Sequence, residues 1–152
     1  MKFLKNYLRG VLPLLVLSAL ILSNCKNSVS DDHDHEDPEG YVLRMNGSAI
    51  VTQNPEEDVT GEVTVAAGEE TSLITIVYLD HDGDEIDLDD DYTIEVTFTA
   101  DGIAEFEQHD EDGNWSFHIH GEAAGSTTML ITLMHGDHSH FTSQAIPVVV
   151  TE

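Results

Sequence analysis

Residues 115–141 read WSFHIHGEAAGSTTMLITLMHGDHSHF, and the fold turns on how the first seven are interpreted. Apolar and polar side chains alternate there: Trp115, Phe117 and Ile119 fall on one side, Ser116, His118 and His120 on the other. A period of two belongs to a β-strand with one face towards a core. The next run, TTMLITLM, is rich in Thr, Ile and Leu, and glycines at 121, 125 and 136 punctuate the segment. Five of the chain's nine histidines lie in this stretch, in two groups separated by the apolar run.

Outward from it, the same pattern repeats. YVLRMNGSAIVTQ, GEVTVAAG, TSLITIVYLD, YTIEVTFTAD, GIAEFEQH and SQAIPVVV are short runs of Val, Ile, Thr and aromatics, mostly bounded by Gly, Asp, Asn or Pro. No window sustains a helical period, and about 110 residues in roughly eight strands match one antiparallel sandwich. A hairpin of GIAEFEQH with NWSFHIHG would set Phe106 near Phe117 on the core side. Glu105 and Glu107 would then stand on the outer face beside His118.

Several short motifs here resemble bacterial immunoglobulin-like domains: Ile103-Ala104-Glu105-Phe106, Ile119-His120-Gly121 and Gly125-Ser126-Thr127-Thr128-Met129, within residues 63–150. The resemblance implies an all-β fold, a single immunoglobulin-like antiparallel β-sandwich with Greek-key connections, and an extracytoplasmic setting. It implies no activity. In such sandwiches the loops after alternate strands gather at one end. That arrangement would bring residues 80–91, 109–114 and 135–140 together, crowding His81, His109, His135, His138 and His140 on one rim.

The N-terminus agrees with that setting. Lys2, Lys5 and Arg9 precede an apolar stretch that ends at Cys25, the pattern of a secretory signal. Leu22-Ser23-Asn24-Cys25 resembles the lipobox of bacterial lipoproteins, which implies lipidation of Cys25 and anchoring to the outer membrane. We therefore divide the chain into a signal at 1–24, a lipidated Cys25 with an acidic tether to residue 40, and the sandwich at 41–152. Cys25 is the only cysteine, so an internal disulfide and a zinc–thiolate site are both excluded. Beyond it only Lys26 and Arg44 are basic while all thirty acidic residues lie in this part of the chain, a formal charge of −28. Such a surface repels nucleic acid and draws cations.

Catalytic signatures are missing: there is no Gly-x-Ser-x-Gly elbow, no Walker loop and no His-Glu-x-x-His helix, so we expect no enzyme. The histidines point to metal instead. Neutral imidazole suits Zn²⁺, Cu²⁺ and Ni²⁺, and His135, His138 and His140 sit within six residues around Gly136. His118 and His120, at i and i+2 on one strand face, form a second candidate pair with Glu105, Glu107 or His109 as third ligand. The strand between the two groups spans roughly 26 Å, so they are expected to form separate sites. Asp80-x-Asp82-Gly83-Asp84 and Asp110-x-Asp112-Gly113-Asn114 read as turns, with weak Ca²⁺ binding as the other reading. His33 and His35 in the tether are either loose metal collectors or a solvated linker. Met129 and Met134 belong to an apolar strand and read as core.

The sequence thus points to an extracytoplasmic lipoprotein that binds a transition metal, zinc first, for capture, buffering or delivery to a membrane transporter. The alternative is a surface adhesion or scaffold module whose histidines merely coat it.

Overall fold

The computed structural model describes residues 37–152. The signal, Cys25, His33 and His35 lie outside the described residues. Strand pairing starts at β1, Gly40–Met45, which hairpins with β2, Ser48–Gln53. The run YVLRMNGSAIVTQ is therefore two strands, not one. The break is Asn46-Gly47, both at positive φ (52° and 78°), the backbone of a two-residue hairpin turn.

One sheet continues from that hairpin. β3, Thr60–Gly61, edges β2; β5, Ile74–Leu79, pairs with β1; β9, Ser116–Gly121, pairs with β5; and β8, Ala104–Glu107, pairs with β9. The short β6, Glu85–Ile86, lies against β5. In the second sheet the long β10, Gly125–His135, has β7, Tyr92–Phe98, along one side. Its other side is shared between β12, Ile146–Thr151, and β11, His138–Thr142. β4, Val63–Ala66, pairs in parallel with β12.

Between β5 and β9, which are neighbours, the chain crosses to the other sheet for β7. That is the Greek-key connectivity of an immunoglobulin-like sandwich. The core is built from inward residues of both sheets, among them Tyr41, Phe117, Ile119, Met129, Ile131, Leu133 and Val148, all fully buried. Phe106 packs on Phe117 with ring centroids 5.3 Å apart, as the alternation required. Met129 is core as expected, whereas Met134 is only half-buried.

A close approach at the end of β9 fixes the position of the segment beside it. Gly121 accepts a hydrogen bond from the Gly68 N–H (2.7 Å) and donates to the Glu69 carbonyl (3.0 Å). A Cβ added to Gly121 would stand 2.5 Å from the Ala66 carbonyl oxygen, and backbone does not yield. This draws residues 67–71 along β9, with Glu70 bridged opposite His120. Gly121→Val should therefore destabilise the domain by about 1–3 kcal/mol, the usual range for overpacking. A urea midpoint equal to the parent's would show that the approach is not tight.

Candidate metal centre

Around β9 the segment before β5 is held by two bonds of Thr71. Its N–H donates to the Ile119 carbonyl (3.0 Å), and its hydroxyl accepts from the Ile119 N–H (3.0 Å). Ile119 points inward, so its neighbours His118 and His120 face outward, half-buried, alongside Glu70. The His118 Nδ1 lies 2.8 Å from the Thr71 carbonyl oxygen and 3.3 Å from Glu70 Oε1.

From the other side comes the turn between β8 and β9. Gln108 braces it, its side-chain amide donating to the carbonyls of Gly113, Asn114 and Ser116. Asp112 closes it: the carboxylate accepts from the His109 N–H at 3.3 Å, and the Asp112 N–H donates to the His109 carbonyl at 3.0 Å. This folds His109 back towards the sheet, its ring 5.7 Å from that of His118 and its Nε2 3.7 Å from Glu70 Oε1.

Ligand atoms of Glu70, His109 and His118 consequently lie within 4.8 Å of one another, and no other trio of potential ligands does so among the described residues. Tetrahedral Zn²⁺ with bonds near 2.0–2.1 Å separates its ligand atoms by about 3.3 Å. The 3.7 Å between Glu70 Oε1 and His109 Nε2 is already close to that edge, while the 3.3 Å approach of Glu70 to His118 is to Nδ1, the nitrogen beside the Thr71 carbonyl. Two nitrogens and a carboxylate oxygen form a donor set that suits Zn²⁺, Cu²⁺ or Ni²⁺ better than Ca²⁺ or Mg²⁺.

The other candidates are placed elsewhere. His120 stands apart from the trio beside Glu107, with Nδ1 3.6 Å from that carboxylate. Glu105 and Glu107 sit opposite His120 and His118 in the β8–β9 register, as the hairpin predicted. His135 and His138 face each other across the two-residue Gly136-Asp137 turn of a hairpin. His135 stacks on Tyr92 (4.6 Å), and the His140 ring meets both Tyr92 (5.3 Å) and His135 (5.4 Å). The His135 and His140 imidazoles are engaged in an aromatic cluster with Tyr92 rather than converging with His138 on a point. Among the described residues His81 is paired with Asp82 alone, at 3.2 Å. Of the five histidines expected on one rim, only His109 joins a trio, because Asp112 turns it inward while β10 and β11 carry the other group away as a ribbon. The two groups lie on different sheets.

In the first acidic loop, Asp80 Oδ1 accepts from the N–H groups of Asp82 and Asp84, both at 2.9 Å. That is a side-chain-capped turn. Glu70 escapes sequence reasoning: no local pattern marks it, and its place depends on a long-range pairing beside β9.

No protein-family model and no curated protein matches the chain. Among solved structures it is similar to domains 4 and 5 of the S-layer protein SbsC, at 20% identity and TM-score 0.42, covering 74% of this chain and 54% of that one. It is also similar to domains 5–6 of the same protein, at 23% identity and TM-score 0.40, covering 60% of this chain and 40% of that one. The chain thus spans about half, or less, of the length of each.

Proposed function

We propose that this chain is an extracytoplasmic lipoprotein, anchored to the outer membrane through Cys25, whose sandwich binds a transition metal, zinc first. The observation that carries this reading is the convergence of Glu70, His109 and His118 within 4.8 Å. The surrounding charge supports it, since thirty acidic residues raise the local concentration of cations. Its role on this reading is to capture and hold the ion outside the cytoplasm.

The test is calorimetric titration of the full-length chain with Zn²⁺ at pH 7.5 and pH 5.5. We expect one equivalent bound with submicromolar affinity at the higher pH, and loss of binding at the lower, because imidazole must be neutral to ligate. His118→Ala should remove the tight site while the double variant His135→Ala/His138→Ala retains it. The reverse pattern would move the site to the β10–β11 hairpin.

A second reading, a surface adhesion or scaffold module, is favoured by how fully the described residues are spent on two sheets and short turns. Millimolar binding without selectivity among Zn²⁺, Ni²⁺ and Ca²⁺ would leave that reading standing alone.

A further inference from the structure

The environment of the His118 ring is unusual for a neutral imidazole. Both ring nitrogens face acceptors: Nδ1 meets the Thr71 carbonyl at 2.8 Å with Glu70 behind it, and Nε2 lies 3.6 Å from Asp112 Oδ2. A neutral ring carries one N–H. The carbonyl contact is the shorter and better placed for a hydrogen bond, so the proton belongs on Nδ1. With the ring neutral, that leaves the Nε2 lone pair pointing towards a carboxylate, two electron-rich atoms in mutual repulsion unless a proton or a metal ion lies between them. Asp112 is well placed to stay there. Its side chain is only 14% exposed, against 41% for Glu70 and 51% for His109, and the backbone of the turn fixes it.

Resting on the metal-binding reading above, we propose that Asp112 is the fourth ligand of the centre, and that the ion is bound by His118 through Nε2. Thr71 holds the opposite nitrogen, the arrangement in which a ligating histidine donates its other N–H to a backbone carbonyl. The separation of 3.6 Å between His118 Nε2 and Asp112 Oδ2 is close to the tetrahedral edge of about 3.3 Å expected for Zn²⁺. Glu70 and His109 are the exposed members, on side chains long enough to swing onto the ion from the position where they already approach each other. Four protein ligands close the coordination sphere, as in zinc sites that hold a structure rather than those that keep a position open for chemistry. The ion then ties three segments together: the connector carrying Glu70, the turn carrying His109 and Asp112, and β9 itself. The centre is one of retention, and its mechanical consequence is a rigid β8–β9 turn.

Three measurements on the full-length chain test this. In the first, Zn²⁺ is titrated into the parent, Asp112→Asn and Glu70→Gln. Asp112→Asn keeps the shape of the turn and should weaken binding about 10- to 100-fold or more, at least the loss seen when a supporting partner is removed. Parent-like affinity in Asp112→Asn, together with weakened binding in Glu70→Gln, would overturn the proposal and put the ion on the Nδ1 side. In the second, long-range ¹H–¹⁵N spectra of the zinc-loaded parent report the His118 tautomer. A protonated Nδ1 with a metal-shifted Nε2 is the expected result; a protonated Nε2 overturns it whatever the affinities. If the parent itself binds no Zn²⁺, the metal-binding reading falls and takes this one with it, a result distinct from a parent that binds and an Asp112 variant that binds equally well. Hydrogen exchange of residues 109–114 should slow at least tenfold on adding Zn²⁺ to the parent, and unchanged exchange would overturn the closed, turn-locking centre.

Discussion

Between pH 10 and pH 12 the sandwich should lose about 5 kcal/mol of stability, enough to unfold a domain of ordinary stability. The cause is a pair of core tyrosines. Burial pushes the phenol of Tyr78 well above its ordinary value, with the nearby Tyr41 adding to the rise, and burial does the same to Tyr41, offset in part by Ser143. The Tyr78 hydroxyl has no hydrogen-bond partner among the described residues. The sign comes from proton counting. A phenol whose folded pKa is raised stays protonated in the native state while the unfolded chain releases its proton, so stability is complete below about pH 10 and falls as pH rises. Each tyrosine adds a slope that approaches that of one released proton once the unfolded phenol has titrated, so each accounts for roughly half of the loss over the interval. Tyr92, raised by burial and by the charges of Asp89 and Asp37, adds a smaller contribution of the same sign, and Lys26 is the only lysine beyond the signal. Urea midpoints read by circular dichroism at pH 8, 10, 11 and 12 measure the slope. Tyr78→Phe should halve it, and at pH 8 should be neutral or stabilising by about 1 kcal/mol, since it removes an unpaired buried hydroxyl. An unchanged slope in Tyr78→Phe would show that this phenol is not the source.

The strands were legible because alternation is a local signal. Phe117 and Ile119 declared their face within seven residues, and the hairpin register that sets Glu105 and Glu107 beside His120 and His118 came from a turn and a period of two. The capped turn at Asp80 was readable from its Asp-Gly content. Asn46-Gly47 carries one of the strongest short-range hairpin signals, yet the apolar runs on either side of it read as a single strand. The site was harder. The density of histidine in HGDHSH suggested ligation, but the two-residue turn at Gly136-Asp137 makes a ribbon of it, and Tyr92 takes up the rings of His135 and His140. Glu70 and Thr71 could not be found in the sequence, since what brings them to His118 is the approach of residues 67–71 to β9, permitted by the missing side chain at Gly121. Composition pointed towards a metal; tertiary pairing decides which candidate side chains converge.

Phe117→Ala should cost about 3–5 kcal/mol, the usual loss for a fully buried phenylalanine whose cavity cannot collapse. Phe117 is fully buried in the sheet that carries the candidate site, packed on Phe106, and its backbone pairs with Ile74 of β5. The next residue, His118, faces outward, so neighbouring positions on β9 divide the work: one anchors the core, the other faces the proposed ion. His118→Ala should therefore leave the metal-free urea midpoint nearly unchanged while removing zinc binding, and Phe117→Ala should do the opposite at temperatures where it remains folded. Zinc supplies the cross-check. A ligand bound only by the native state, at 100 times its dissociation constant, returns about 2.7 kcal/mol. Adding Zn²⁺ to Phe117→Ala should thus recover more than half of the lost stability, whereas His118→Ala should gain nothing from it. A Phe117→Ala cost under about 1 kcal/mol would contradict the full burial of Phe117 in the core. Recovery by zinc in His118→Ala equal to that of the parent would separate the metal from this strand altogether.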